Sequence, residues 1–330
     1  MEFGALFITD PPIDNIVDMA HKAEESGFDY FLLPDSQVLW QDPWPIFALI
    51  GRETERVRLG PCVTNPGTRD WTVLASGLAV LDEISDGRMV CGIGRGDSAL
   101  RTINRKPVKM KELEDCINVV NGLVEGREVP YNDSTIKIPW TKGRHVPMWG
   151  AGYGPKALEL IGRLCDGFVL QIADPDILRW TLAHVHASAE AAGRDPKDIK
   201  VVVSAPAYVS SDLDHAEQQL RYFGGAVGNH VVDLIKNHGI EGLPPVLTEY
   251  VKNRPGYDYA KHGRTGNPLT DYVPREITER FTVMGDVDAH VRKLLELRDI
   301  GADVFNIYFQ SDDNLGTMKA YADEVIPAMR

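Results

Sequence analysis

The chain is poor in several things at once, and each shortage removes a class of function. Its four cysteines, Cys62, Cys91, Cys116 and Cys165, form no C-x-x-C pair. They read as reduced, mostly buried thiols of a cytoplasmic protein, and they argue against a zinc site. The nine histidines form no H-x-x-x-H cluster, so no metal is expected. No G-x-S-x-G elbow is present, which argues against a serine hydrolase. No apolar run approaches the ~20 residues of a membrane span. The opening Met1-Glu2-Phe3-Gly4 lacks the basic region of a signal peptide. Lys and Arg number 35 against 48 Asp and Glu, a formal net charge of −13. That balance argues against a nucleic-acid binder, which would show a basic face. It leaves room for an anionic ligand, because a local cluster of cations can oppose the global field.

What is present is an alternation of apolar strands and amphipathic helices over 330 residues. Strands are expected at Phe3–Ile8, Tyr30–Leu33, Val57–Val63, Arg88–Ile93, Val146–Trp149, Phe168–Gln171, Ile199–Tyr208 and Val304–Phe309. Helical spacing of apolar residues predicts helices in the intervals between them. A helix–glycine–strand junction recurs at Gly27-Phe28-Asp29, Cys165-Asp166-Gly167 and Gly301-Ala302-Asp303. Each is read as a glycine at a helix exit followed closely by a strand. Eight βα units in an α/β chain predict a (β/α)8 TIM barrel with insertions, as a single domain over residues 1–330. An open doubly wound sheet is the other architecture with this alternation, but usually with fewer strands.

Two insertions interrupt the rhythm. Residues 127–145 are expected to form a short hairpin or irregular excursion, with a turn at Tyr131-Asn132-Asp133-Ser134. Residues 210–280 are longer, helical over Leu213–Phe223 and then polar and rich in Pro and Gly. This stretch follows the seventh strand, so it is expected on the ligand-binding face as a lid or an oligomer contact.

The loops after the strands carry the chemistry. Gly60-Pro61-Cys62-Val63-Thr64-Asn65-Pro66-Gly67-Thr68-Arg69-Asp70 ends the third strand, and Gly92-Ile93-Gly94-Arg95-Gly96-Asp97-Ser98 ends the fourth. In parallel α/β folds that edge is where ligands bind. Glycine, hydroxyl and Arg groups at two adjacent strand ends suit a phosphorylated cofactor, though the spacing is not a Rossmann fingerprint. The same loop also reads as a tight turn with Asp97 or Ser98 capping a helix. Gly150-Ala151-Gly152-Tyr153-Gly154-Pro155-Lys156 follows the fifth strand and opens a helix. Its glycines allow close approach of a ligand to the backbone. Asp35-Ser36 follows the second strand, with Trp40 nearby, and Asp97 is a candidate proton carrier where burial raises its pKa.

Taken together these strings resemble the luciferase-like monooxygenase superfamily. They are Gly60–Pro66, Thr68-Arg69, Leu81-Asp82-Glu83-Ile84-Ser85-Asp86-Gly87-Arg88 and Gly92–Asp97. The likeness is to its F420-dependent branch, the group that contains methylenetetrahydromethanopterin reductase. It covers nearly the whole chain apart from residues 210–280. The resemblance implies a luciferase-like barrel binding the deazaflavin F420, or alternatively reduced FMN, at the C-terminal mouth. It implies a non-proline cis peptide at Cys62–Val63 packed against the tricyclic ring. Asp35, Thr64 and Asn65 would contact the ring region. Gly94, Arg95, Gly96 and Asp97, with Gly152, Tyr153 and Gly154, would hold the ribityl and phosphate groups. Many members of that branch carry Asp-His where this chain has Asp35-Ser36, and Arg69-Asp70-Trp71 replaces a more usual Arg-His-Pro.

The expectation is therefore an oxidoreductase that moves a hydride between deazaflavin C5 and a small organic substrate. Asp97, Trp40 and Asp35 are the candidate catalytic residues, and Cys62, Val63, Thr64, Asn65 and the two glycine loops the cofactor cradle. Ser36, Trp71, Tyr208 and Gln310 are candidate walls of the substrate pocket. Arg69, Arg101, Arg105 and Lys106 are candidate partners of the anionic F420 tail. The same fold with reduced FMN and O2 would be a two-component monooxygenase served by a separate reductase. A flavin-binding barrel without turnover is a third possibility. A homodimer or higher homo-oligomer is expected.

Overall fold

The computed structural model describes residues 1–10, 12–238, 245, 247, 249, 250 and 270–330. Strands β1 (Glu2–Phe7), β2 (Tyr30–Leu33), β3 (Arg58–Pro61) and β4 (Cys91–Ile93) are followed by a hairpin, β5 (Val129–Tyr131) and β6 (Ser134–Ile136). Then come β7 (Met148–Ala151), β8 (Gly167–Leu170), β9 (Lys200–Val209), β10 (Val283–Gly285) and β11 (Val304–Phe309). The main sheet runs β3-β2-β1-β11-β9-β8-β7-β4, every pair parallel. Bridges Leu59↔Met89 and Thr64↔Ile93 join its two ends. The result is the expected (β/α)8 barrel. Its strands are buried on both faces, which is why β2 and β8 read as continuous apolar runs rather than alternating ones.

The helices outside the barrel are α1 (Ile13–Glu25), α2 (Pro43–Glu53), α3 (Trp71–Ile84), α4 (Asp97–Arg101), α5 (Met110–Val124), α6 (Pro155–Leu164) and α7 (Pro175–Ala191). They continue with α8 (Leu213–His238), α9 (Arg275–Phe281), α10 (Val287–Ile300) and α11 (Asn314–Ala320). Aspartates start several of them: Asp42, Asp70, Asp174, Asp286 and Asp313 each accept a backbone N–H of the first turn. The predicted hairpin in residues 127–145 is present. Helix α8 runs fifteen residues past the predicted Phe223, to His238. The short α9 and β10 had no counterpart in the sequence reading. The Pro/Gly-rich part of 210–280 falls mostly outside the described residues. The closing helix runs on from α11 through a π-helical segment at Tyr321–Val325 into a last turn at Ile326–Met329.

The recurrent junction has a different cause from the one expected. Gly27 (φ 80°) and Gly301 (φ 132°) do sit at helix exits with positive φ. Gly167 does not: it lies inside β8, where a Cβ would come within 2.4 Å of the Trp149 ring. The feature common to all three is the aspartate. Asp29 accepts from Phe3 N at 2.8 Å, Asp166 from Met148 N at 2.7 Å and Asp303 from Val201 N at 2.8 Å. Each carboxylate satisfies a strand-start donor on the neighbouring strand at the bottom of the barrel.

Closure between β3 and β4 is the tightest place in the fold. Leu59 N donates to Arg88 O and Val90 N to Leu59 O. At Gly60 a Cβ would lie 1.8 Å from the Val90 carbonyl oxygen. Arg88 locks the same corner: its guanidinium donates to Ser85 O, Gly51 O, Thr54 O, Val57 O and Thr54 Oγ1, all at 2.7–2.9 Å. Asp86 and Gly87, both at positive φ, turn the chain so that Arg88 reaches inward. Gly60→Ala is expected to cost about 3 kcal/mol or more through forced strand separation. Arg88→Met is expected to cost about 2–4 kcal/mol, because it leaves several buried acceptors without donors. Thermal unfolding followed by circular dichroism measures both, and wild-type midpoints would remove this corner's structural role.

Candidate functional site

The C-terminal strand ends open into a cavity of about 1060 Å³. Its inner wall is apolar, from Leu6, Cys62, Val63, Val169 and Tyr308. Its outer rim carries Arg95, Arg101, Lys106, Lys109 and Lys156, against Asp35 and Asp97. A shallower hollow between α7 and α10, lined by Arg179, Arg292, Glu296 and Asp299, lies on the outside of the barrel among ion-pairing side chains. The chemistry belongs to the strand-end cavity, the usual place for a site in this architecture.

The floor is the loop after β3. The Cys62–Val63 peptide bond is cis, as expected. The ladder to β4 continues past it, with Thr64 N donating to Gly92 O and Gly94 N to Thr64 O. The Cys62 thiol is buried in the cavity wall, and that burial pushes its pKa up to about 12. It is therefore a wall, not a nucleophile.

Asp35, only 2% exposed, holds this loop from behind. Its Oδ2 accepts from Thr64 Oγ1 at 2.7 Å and from Trp44 Nε1 at 3.1 Å. Arg69 Nε stands 3.8 Å from the same oxygen, while the other arm of the guanidinium pairs with Asp42 at 2.6 Å. The guanidinium carbon lies 5.2 Å over the Trp44 ring. A buried carboxylate needs such partners, so Asp35 acts on the site by fixing the bulge. Arg69 is turned inward by these contacts, and Arg105 is spent on Gly67 O, so neither is at the rim.

The glycines of the cradle answer to the protein's own packing. A Cβ at Gly94 would lie 3.3 Å from Val63 Cγ2, and at Gly152 it would lie 2.6 Å from the Ala157 Cβ. Gly96 has φ 77° and would strike the Asn65 side chain at 2.8 Å. These residues let the loops nest against each other, where the sequence reading gave them the task of admitting a ligand. Gly154 is the N-cap of α6, which Pro155 opens without a side-chain cap. Arg95 donates from Nε to Val108 O at 2.7 Å, which ties the rim together.

Asn65 supplies the clearest sign of a ligand. Its Oδ1 accepts from Gly67 N, and its Nδ2, buried in the cavity wall, has no protein partner. A buried donor without an acceptor is costly, and a polar ring edge placed in the cavity would satisfy it. Ser36 and Ser98 face one another at 3.1 Å in the same wall. Tyr153 donates its hydroxyl to Gln171 O at 3.1 Å, and burial beside Asp97 pushes its pKa up. The volume, this donor and the five rim cations together fit a planar group with an anionic tail.

Most predicted site residues meet here. Asp35, Ser36, Trp40, Cys62, Val63, Asn65, Gly94, Arg95, Gly96, Asp97, Gly152, Tyr153, Gly154 and Gln310 line the cavity, and Thr64 stands directly behind it. Two do not. Trp71 lies outside the lining, donating to Pro66 O and packing on Tyr131 of the hairpin. Tyr208 is carried past the barrel by the long β9, donates to Asp312 and packs with Ala216 and Leu220. Asp97 lies at the rim, its side chain 25% exposed and paired with Arg101 at 2.5 Å. The lid expected over 210–280 gave no individual residues; α8 supplies Tyr222, Phe223, Ala226, His230 and Leu234 as the roof. Their spacing of about one helical turn was the available signal. Lys109 and Lys156 were also missed. Among the described residues no acidic, cysteine or histidine cluster could hold a metal.

Comparison with known proteins follows the same lines. The family model for luciferase-like monooxygenases matches residues 1–304. The 5,10-methylenetetrahydromethanopterin reductase of Methanolobus tindarius is 28% identical over 310 residues, covering 91% of this chain and 92% of the relative. The F420-dependent hydroxymycolic acid dehydrogenase of Mycobacterium tuberculosis is 25% identical over 337 residues, covering 96% and 85%. The solved F420-dependent tetrahydromethanopterin reductase from Methanopyrus kandleri superposes with a TM-score of 0.79 at 22% identity, covering 100% of this chain and 99% of that one.

Thr64→Val removes the hydroxyl that Asp35 accepts while keeping the side-chain shape. A hydrogen bond to a buried carboxylate is worth about 1.5–3 kcal/mol. The variant should lose that much stability in a denaturant titration, and an unchanged midpoint would mean Asp35 does not anchor the bulge.

Proposed function

The chain belongs to the luciferase-like monooxygenase family, and from that premise we propose that it is an F420-dependent oxidoreductase acting on a small organic substrate. When bound, the deazaflavin supplies a ring carbon that gives or takes a hydride. This chain's residues do the placing. The apolar floor of Cys62 and Val63 would support the ring, and Asn65 Nδ2 would donate to its polar edge. Asp35, through Thr64, keeps that floor in register. Residues 1–330 act as one barrel, with the 210–280 insertion as its lid. Aromatic and apolar groups from Trp40, Tyr222, Phe223 and Leu234 exclude water from the chamber and suit a planar or largely apolar substrate.

The observation that carries the cofactor choice is charge. Arg95, Arg101, Lys106, Lys109 and Lys156 line the mouth of a protein whose net charge is −13. A concentration of cations against the global field marks a polyanionic ligand, and the extended anionic tail of F420 uses more of it than the single phosphate of FMN. The four free, buried cysteines agree with a reducing, cytoplasmic compartment. Leu49 on α2 and Val73 and Val80 on α3 are large apolar side chains left exposed, which supports a homo-oligomer.

Fluorescence and absorbance titration with F420 and FMN, each oxidised and reduced, tests the reading. Saturable binding of F420 with weak FMN binding is expected. Replacing Lys106, Lys109 and Lys156 together by Ala should weaken F420 roughly tenfold or more, judging from exposed ion pairs. Raising salt should shrink that difference. Selective binding of reduced FMN would instead indicate an oxygen-using monooxygenase fed by a separate reductase. Binding without turnover of any substrate would indicate a flavin-binding barrel. For the oligomer, sedimentation velocity should show a dimer or larger species, and Val73→Glu with Val80→Glu should shift it to monomer.

A further inference from the structure

Helix α8 lays one stripe of side chains along the cavity, Tyr222, Phe223, Ala226, His230 and Leu234. The stripe is aromatic or apolar except at His230, the one histidine among the described lining residues. Two contacts from the opposite side hold its imidazole. The ring stacks flat on Tyr153, with centroids 4.6 Å apart and planes 8° apart. Its Nε2 lies 4.0 Å from Asp97 Oδ2, while Asp97 Oδ1 accepts from Arg101 Nε at 2.5 Å. The imidazole therefore joins the roof, which comes from the insertion, to the cradle loops after β4 and β7.

We propose that His230 is the proton-holding residue of this site, with Asp97 as its positioning partner. The inference rests on the hydride-transfer reading above. Hydride transfer to a polarised double bond leaves the substrate heteroatom needing a proton. The reduced deazaflavin gives two electrons and a hydrogen to carbon and is oxidised. The imidazolium gives its proton to the heteroatom and becomes neutral. The reverse reaction returns each of these.

Other groups of the wall are poorly suited to that task. Asp35 is committed to Thr64 and Trp44, Ser36 and Ser98 offer only hydroxyls, and burial pushes the Tyr153 and Tyr308 phenols up. Histidine is the side chain that exchanges protons near neutrality. Tyr153 from the loop before α6 stacks on it, Asp97 from α4 stands 4.0 Å away and is itself paired with Arg101, and Lys106, Lys109 and Lys156 line the same cavity. The Asp97 carboxylate, 4.0 Å away, favours the imidazolium, and cations at the same rim oppose it.

The test follows the imidazole directly. Protein labelled with 13C at histidine is titrated by NMR between roughly pH 5 and 9, the range in which histidine changes charge. His230→Gln and His230→Phe each identify the His230 signal by its loss, and the second keeps the stack on Tyr153. His230 is expected to titrate within that window. In Asp97→Asn its midpoint should fall by roughly half a pH unit or more, a threefold loss of proton affinity. Saturating F420 should move the same signal. A His230 signal that stays neutral throughout, or that ignores Asp97→Asn, would overturn the proposal and leave the ring as packing for Tyr153. If F420 does not bind the wild-type protein, the deazaflavin reading fails on that result alone, and the ligand-free titrations still decide the pairing.

Discussion

The approach of β3 to β4 governs the rest of this structure. A parallel barrel has to close with side chains on every strand, and at this seam there is no room for them. Gly60 faces the Val90 carbonyl, and Gly92 would place a Cβ 2.6 Å from Pro61 O. With both positions bare, the backbones pair at Leu59 and again at Thr64. Between those pairings the chain bulges at Cys62–Val63 and forms the cavity floor. The floor is therefore a consequence of how the barrel closes. A ligand that rests on it rests on the part of the fold with the least freedom to move.

A polar layer stabilises that seam from the outside. Asp35 ends β2, Thr64 belongs to the bulge, Trp44 and Asp42 start α2, and Arg69 leads into α3. One carboxylate oxygen accepts hydrogen bonds from two of these segments and faces the Arg69 guanidinium of a third at 3.8 Å. Buried charges are tolerated when paired and hydrogen-bonded, and here the pairing sets the angle between the barrel and two of its helices. Arg88 does the equivalent work lower on the seam, with five donors meeting oxygens of α2, its following turn and the end of α3. The string Asp86-Gly87-Arg88, distinctive in the sequence, is thus a structural lock away from the cavity.

How much of this was legible follows from how local each cause is. Strands buried on both faces announce themselves as apolar runs, so Tyr30–Leu33 and Val304–Phe309 could be read to the residue. The loops after β3 and β4 were legible as a site because their composition is unusual for simple turns. The role of their glycines was not, because Asn65 and Ala157 fill the space beside Gly96 and Gly152 only in three dimensions. Trp71 and Tyr208 looked like pocket walls by position along the chain. Trp71 begins a helix that leaves the mouth, and Tyr208 sits near the end of a strand long enough to overshoot it. The aspartates at 29, 166 and 303 hid behind glycines that caught the eye first. His230 was invisible because its significance depends on where a long helix crosses the barrel mouth.

That crossing divides the chamber into two parts with different origins. The floor and rim come from strand ends whose geometry the barrel fixes. The roof comes from α8, which the barrel does not dictate. Changes to α8 at Ala226 or Leu234 alter the shape above the floor without touching Asp35, Thr64 or Asn65. The shape of the roof can therefore vary along one helical stripe while the floor and rim stay intact. Among the described residues the halves meet where His230 lies against Tyr153 and Asp97, and again where Phe223 packs on Tyr308. A change at the first of these junctions acts on both halves at once: it alters the charge at the rim and the face that α8 turns to the cavity.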